Sequence, residues 1–131
     1  MSYASETDLK ALFGADEIET RAAVLPAGVV ARALADADAE IDSYLSGRVQ
    51  LPLGSAPAIL VRAAAVMARH QLLGEAVTER ARRDYEDVRG WLKDIHAGRA
   101  ALPNALPLPG AGQDATVEVV GRERVFTGGV L

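Results

Sequence analysis

The feature that most constrains this chain is a change in sequence character at Gly98. Before that residue, apolar side chains recur at the three- and four-residue spacing of amphipathic helices. After it, prolines and glycines interrupt short apolar runs, and residues 99–131 contain no helix against which to bury them. We therefore predict a helical body over residues 1–98 and an extended arm over residues 99–131 that docks on another protein chain.

The amino-acid composition limits the classes to which this protein can belong. With 131 residues the chain is long enough for one domain with a modest core, and its net charge of −4 argues against a basic nucleic-acid-binding face. It has no cysteine, which excludes disulfides and thiolate metal sites and fits a reducing compartment. Its first residues lack a signal-peptide pattern, and no apolar run reaches the length of a membrane span. We expect a soluble intracellular protein.

Three segments with helical character are expected between Ser5 and Gly47. Ser5, followed by acidic residues, should cap a helix that ends at Gly14. Residues 16–23 suit a short turn or helix. A long helical segment should then open at Pro26 and end at Gly47.

Two further long helices are expected between Gly47 and Gly98. Ser55 should cap the first of them, with Pro57 in its opening turn and Gly74 at its end. Thr78 should cap the last, which ends at Gly98. The apolar faces expected of the three long helices are Val30, Leu34, Ala37, Ile41 and Leu45, then Ile59, Ala63, Val66, His70 and Leu73, and lastly Ala81, Tyr85, Val88, Leu92 and Ile95.

Short connections between long helices favour antiparallel neighbours. The predicted fold is therefore mainly α: a small bundle of three long antiparallel helices with a short N-terminal helix packed across them. Opposite charges four residues apart should lie on the outer face of the last helix, and the pairs are Glu79 with Arg83, Arg80 with Asp84, and Arg82 with Glu86.

The arm offers apolar side chains and strand-like segments. The prolines at 103, 107 and 109 favour polyproline II, whose backbone groups stay open to a partner. Residues 115–120 and 122–126 have strand character and can form a hairpin, which needs support from the body or another chain. The side chains predicted to dock on a partner are Leu102, Leu106, Leu108, Val117, Val119, Val125 and Phe126.

An acidic series at Asp36, Asp38, Glu40 and Asp42 resembles the start of a calcium-binding loop. That loop requires glycine at its sixth position, where this chain has Ile41 inside a strong helical pattern. On a helix the series forms two like-charge pairs spaced four apart, which is typical of a solvated face. The alternative is an acidic surface that meets a basic partner or repels DNA from a channel wall.

No arrangement for catalysis or cofactor binding is evident. His70 lies on an apolar helical face, and His96 lies in a last helical turn where a cation suits the helix dipole. Residues 110–112 (GAG) do not stand between a strand and a helix, as a phosphate loop must. We expect neither an enzyme nor a protein that binds a metal or cofactor.

Two other classes remain open from the residues alone. One is a small cellular helical scaffold or regulatory module. The other is a helix-turn-helix DNA-binding regulator built from residues 41–73, although its recognition helix would begin with Ile59, Leu60 and Val61 in place of polar base-reading side chains.

Four blocks of the chain resemble a family of Mu-like phage and prophage proteins. They are residues 3–14 (Y-x-S-x-x-D-L-x-x-x-F-G), residues 33–53 (ALADADAEIDSYLSGRVQLPL), residues 57–69 (P-x-x-L-x-R, then A-R) and residues 82–98 (R-x-x-Y-x-D-x-x-x-W-L, then I and G). The resemblance covers residues 3–98. Many members have an aromatic residue where Val49 stands.

Such proteins are similar to the head–tail adaptors of long-tailed phages. The resemblance implies a dodecameric homo-oligomeric ring beneath the portal, extending the DNA channel toward the tail, with arms that dock on portal or neighbouring subunits. The implied partners are the portal protein and the next tail-side neck protein, and DNA passes without sequence-specific binding. The four acidic residues of the series would face the channel.

The implied location is the virion neck, assembled in the bacterial cytoplasm, without a membrane. The particle can be a phage, a prophage remnant or a gene-transfer agent. If the arm is the connector, deletion of residues 103–131 should leave a folded helical monomer that no longer joins the portal ring.

Overall fold

A computed structural model describes residues 2–103 and 105–108 of the chain. These residues are mainly helical. The helices are α1 (Glu6–Phe13), α2 (Ala15–Ala23), α3 (Val29–Leu45), α4 (Ala58–Leu73) and α5 (Glu79–His96), with a 3-10 turn at Gly74–Ala76 between the last two. The three long helices α3, α4 and α5 form the predicted bundle, and the short helices α1 and α2 pack on it.

Two of the predicted helix starts are confirmed by their capping hydrogen bonds. The Ser5 hydroxyl accepts from the Asp8 amide, and the Asp8 carboxylate accepts from the Ser5 amide in a reciprocal capping box. The Thr78 hydroxyl accepts from the Ala81 amide at the start of α5. Ser55 does not cap α4, because that helix begins only after Pro57, whose backbone is extended.

Helix α4 lies at the centre of the molecule and packs against α1, α2, α3 and α5. As a result all six residues of Ala63–Ala68 are buried, which spreads burial beyond one stripe of the helix. The predicted apolar face of this helix is therefore partly wrong. Ile59 is 43% exposed and its neighbour Leu60 is buried instead, while His70 and Leu73 are half-buried.

The other two long helices bury the faces that their periodicity predicts. All five residues of the α3 face are buried. On α5, Ala81, Leu92 and Ile95 are buried, and Tyr85 and Val88 are half-buried at the edge of the core. Since charged residues fill the rest of α5, its apolar stripe stands out clearly in the sequence.

Arginines of neighbouring segments cover the C-terminal ends of two helices. Arg21 of α2 donates from Nε to the Leu72 carbonyl at 2.7 Å and from Nη2 to the Leu73 carbonyl at 3.1 Å. Arg48, just after α3, donates from Nε to the His96 carbonyl at 2.8 Å. A cation at this end of a helix satisfies carbonyls that lack helical partners and suits the helix dipole.

The described part of the predicted arm lies against the body of its own chain. Leu102 is 6% exposed and belongs to the same hydrophobic core as the helices. An antiparallel bridge joins Val49 to Pro107. Residues 99–103 and 105–108 thus pack on the body of their own chain, in contrast to the expectation that the arm over residues 99–131 docks on another protein chain.

Candidate partner-binding surfaces

The four acidic residues of α3 do not share one face of the helix. Successive residues of an α-helix lie about 100° apart around its axis, so Asp36 and Glu40 are about 40° apart while Asp36 and Asp38 are about 200° apart. The buried stripe of α3 runs between the two pairs. The four carboxylates Asp36, Asp38, Glu40 and Asp42 therefore lie on two sides of α3, flanking its buried stripe.

One acidic pair holds the N-terminal segment. The Tyr3 amide donates to Asp38 Oδ1 at 3.0 Å, and the Tyr3 hydroxyl donates a short hydrogen bond to Asp42 Oδ1. Tyr3 is only 3% exposed. Burial, and then the hydrogen bond and negative charge of Asp42, raise the pKa of the Tyr3 phenol. These two carboxylates fasten residues before α1 to α3.

The other acidic pair faces α4 and α5. Asp36 is exposed, and its Oδ2 accepts from Gln71 Nε2 at 2.7 Å. Glu40 Oε2 accepts from the Tyr85 hydroxyl at 3.2 Å and lies 3.6 Å from Arg89 Nε. Of the four carboxylates, Asp36 is therefore the one most open to an external partner.

A half-buried polar cluster joins the three long helices beside Glu40. The rings of His70 and Tyr85 stack with their centroids 4.1 Å apart, and the Arg89 guanidinium lies 5.6 Å from the Tyr85 ring centroid. Burial first, and the charge of Glu40 second, raise the pKa of Tyr85. His70 thus serves the packing of α4 on α5, and these contacts account for its place on a mainly apolar face.

A second charged contact holds α2 to α4. Arg69 donates to both carboxylate oxygens of Glu17, at 2.7 and 3.1 Å, and its guanidinium lies 4.4 Å from the Phe13 ring centroid. Such a bidentate, stacked arginine has directional geometry that a lysine cannot reproduce. The sequence showed the two charges but not that they would meet across the fold.

On the outer face of α5, two of the predicted ion pairs are present. Arg82 pairs with Glu86 at 2.8 Å, and Arg83 lies 3.6 Å from Glu79. Arg82 also pairs with Glu79. These exposed pairs keep most of their charge in solvent and contribute little to stability.

The predicted docking residues fall into three groups. Leu102 is buried in the core of its own chain and so is not free to insert into a partner. Leu106 is 68% exposed, while Leu108 is half-buried. Val117, Val119, Val125 and Phe126 lie outside the described residues.

The backbone around Pro107 is paired with the body, in contrast to the open polyproline II conformation that was expected. Gln50 donates its amide to the Leu106 carbonyl at 2.8 Å, and Leu108 donates its amide to the Arg48 carbonyl at 3.1 Å. Sequence reasoning missed this pairing because it joins segments almost sixty residues apart. No local pattern signalled it, since Arg48 still belongs to the turn that follows α3.

Metal-ligand clusters, membrane-spanning helices and an exposed recognition helix are absent from the described part of the chain. Residues 2–103 and 105–108 contain no group of three or more histidine, aspartate or glutamate side chains able to hold a metal ion. In the same ranges, no helix is both long and apolar enough to cross a membrane. The helix-turn-helix reading would need α4 as its recognition helix, yet α4 is the helix enclosed by the others.

Comparison with known proteins places the chain among phage proteins. Residues 3–119 match the family described as Bacteriophage Mu, Gp36. The Mu-like prophage FluMu protein gp36 of Haemophilus influenzae is 44% identical over 73 residues, which cover 56% of this chain and 52% of that protein. Gene product J of Escherichia phage Mu is 34% identical over 105 residues, which cover 76% of this chain and 74% of that protein.

The chain thus spans about half the length of the first relative and about three quarters of the second. The family match also corrects the extent of the resemblance, which was placed at residues 3–98. It continues past Gly98, through the segment paired with Arg48–Gln50, to residue 119. This chain belongs to the bacteriophage Mu Gp36 family and is a phage-related protein.

Proposed function

We propose that this protein is a structural head–tail connector, an adaptor that forms a ring beneath the portal and links head to tail around the DNA channel. One observation carries the proposal: the match to a phage family runs through the helical body and on into the segment after it, to residue 119. A body and an arm kept together are what an adaptor between two larger assemblies requires. The role is assembly, without catalysis or a bound cofactor.

The helical body supplies the side-by-side packing unit of the ring. Its described carboxylates and histidines are largely engaged in contacts within the chain, as with Glu17 and Arg69 or His70 and Tyr85. That use of polar groups supports a rigid building block. A dodecamer is the stoichiometry proposed, on the resemblance to adaptors of long-tailed phages.

The arm supplies contacts to the portal protein and to the next tail-side neck protein. Leu106 and Leu108 stand on its described part, and the sequence of residues 109–131 adds five valines and Phe126. Extended apolar segments bind partners through main-chain hydrogen bonds and alternate side chains. DNA would pass through the ring without sequence-specific contacts, with Asp36 as the exposed member of the acidic series available to face it.

The arm is tested by a deletion placed according to the structure. A cut before residue 103 would remove the Pro107 bridge as well as residues 109–131, so we place the deletion at residues 109–131. The shortened chain should keep its helical circular dichroism and its Trp91 fluorescence. When it is co-expressed with the cognate portal protein and viewed by electron microscopy, it should no longer add a ring to the portal.

A full-length variant controls for the change in length. Replacing Val125 and Phe126 by serine should also weaken attachment to the portal, whereas replacing Gln113 by serine should not. Undiminished attachment of the 109–131 deletion would refute the role of the arm. If the intact chain forms no rings and does not bind portal, the connector proposal fails and the small helical scaffold is favoured.

A further inference from the structure

Arg48 contacts the chain at the end of α5 and again ten residues later, at Leu108. At the start of this path, the Arg48 guanidinium lies over Gly98, where a Cβ atom would stand 3.3 Å from Nη2, and its Nε donates to the His96 carbonyl. At the end of the path, the Leu108 amide donates to the Arg48 carbonyl at 3.1 Å. The side chain of Arg48 thus contacts the chain just before residue 99, and its main chain binds residue 108.

The middle of this path is packed into the helical body. Leu102, near the middle of the segment, is buried in the core, and so is Val49 on the opposite side of the bridge to Pro107. A second main-chain bond, from the Gln50 amide to the Leu106 carbonyl, lies next to the bond at Arg48. The segment is thus held to the body by Leu102 near its middle and by two main-chain hydrogen bonds near its end.

The turn into the loop is also specified. Gly98 has a φ of 85°, which favours glycine, and the Arg48 guanidinium fills the space that a side chain there would need. The amides of Arg99 and Ala100 both donate to the Asp94 carbonyl, at 2.8 and 3.2 Å. The chain therefore leaves α5 in a fixed direction.

We propose that residues 99–108 are a fastening loop that fixes the position of Leu108, from which the chain continues, and that Arg48 is its positioning residue. If the loop were open and extended, Leu108 could move by about 30 Å, since each extended residue spans about 3.3 Å. With the loop fastened, Leu108 lies beside the C-terminal ends of α3 and α5. This inference is independent of the connector role, because it concerns only the path of one chain.

A distance measurement on the single chain tests the proposal. The chain has no cysteine, so Asp87→Cys on the exposed face of α5 and Leu106→Cys in the loop can carry two spin labels. In this labelled parent, double electron–electron resonance should give one narrow distance distribution. Adding Arg48→Ala should abolish the narrow peak, and Arg48→Lys should restore part of it, because lysine can still donate to one carbonyl.

Arg99→Ala is the matched control. It removes an arginine of the same loop whose side chain pairs with Asp94, at 2.9 Å, and it should leave the narrow distribution unchanged. A broad distribution in the labelled parent would overturn the fastening loop. An Arg48→Ala distribution equal to the parent's, or equal loss in Arg99→Ala, would overturn the role of Arg48.

A second variant covers the case in which Arg48→Ala does not fold. Leu108→Pro removes the N–H that donates to the Arg48 carbonyl and leaves the arginine side chain in place. Circular dichroism of this variant should match that of the parent, while the narrow distance peak should be lost. A narrow peak that persists in Leu108→Pro would refute fastening through Arg48.

Discussion

Replacing Leu102 by alanine tests whether the segment after Gly98 is structurally part of the body. The change removes three carbon atoms from a side chain that is 6% exposed. At about 0.8 kcal/mol for each buried carbon, the lost burial amounts to about 2.4 kcal/mol. Leucine-to-alanine changes in cores cost about 2–5 kcal/mol depending on how far the site collapses, and a surface loop can close part of the gap. We therefore expect a loss of about 2–3 kcal/mol in the free energy of unfolding.

The measurement is urea unfolding followed by the fluorescence of Trp91, the single tryptophan, which is half-buried on α5. With a slope of about 2 kcal/mol per molar, the expected loss lowers the midpoint by about 1–1.5 M. Leu106→Ala is the matched control. Its side chain is 68% exposed, so its cost should stay within about 0.5 kcal/mol.

Deletion of residues 99–131 sets an upper limit on the cost of Leu102→Ala. If the loop detaches before the bundle unfolds, the variant can lose no more stability than the chain that lacks the loop altogether. Equal midpoints for Leu102→Ala and Leu106→Ala would refute the packing of the loop on the body. A cost above that of the deletion would refute the assignment of the effect to the loop.

Three further predictions concern contacts that join separate elements. Tyr3→Phe removes the hydroxyl bonded to Asp42 and should cost about 1–3 kcal/mol in thermal or urea unfolding. Because the pKa of Tyr3 is raised in the folded state, the stability contributed by its phenol should be fully present below about pH 10 and lost as the pH rises further. In a pH series of unfolding measurements, Tyr3→Phe should therefore lose less stability above about pH 10 than the wild type. Thr78→Ala should cost about 1 kcal/mol through loss of the α5 cap, measured in the same way. Arg69→Lys should cost about 1 kcal/mol by replacing the bidentate pair with Glu17 by a single contact, and a double-mutant cycle with Glu17→Gln should show that the two changes are not additive.

The sequence was most informative where apolar and charged residues contrast. On α5 the charged background leaves one apolar stripe, and the structure buries or half-buries all of it. On α4 the run of alanines through Ala63–Ala68 gives no contrast between faces. Which side of such a helix is buried depends on its neighbours, and α4 has neighbours on most sides. Periodicity therefore could not select Leu60 over Ile59.

For the acidic series of α3, the sequence could predict where the carboxylates lie around the helix but not which groups they contact. Its spacing already required two pairs on a helix, and a separation of about 200° between the pairs follows from helix geometry alone. What the spacing could not provide was the identity of each pair's contacts. Tyr3 reaches Asp38 and Asp42 from the segment before α1, and Glu40 meets Tyr85 only because α3 and α5 pack together.

For the same reason, the sequence located the end of α5 at Gly98 but did not show that the packed body continues beyond it. Helix ends are local, and a glycine with positive φ marks this one. The boundary of a packed body depends on contacts between distant residues, here Leu102 in the core and Pro107 beside Val49. Arg48 joins these two levels, because its side chain contacts the helix end while its main chain contacts the end of the loop. A change at Arg48 should therefore alter the path of residues 99–108 more than the stability of the three long helices, which are held by their own buried stripes.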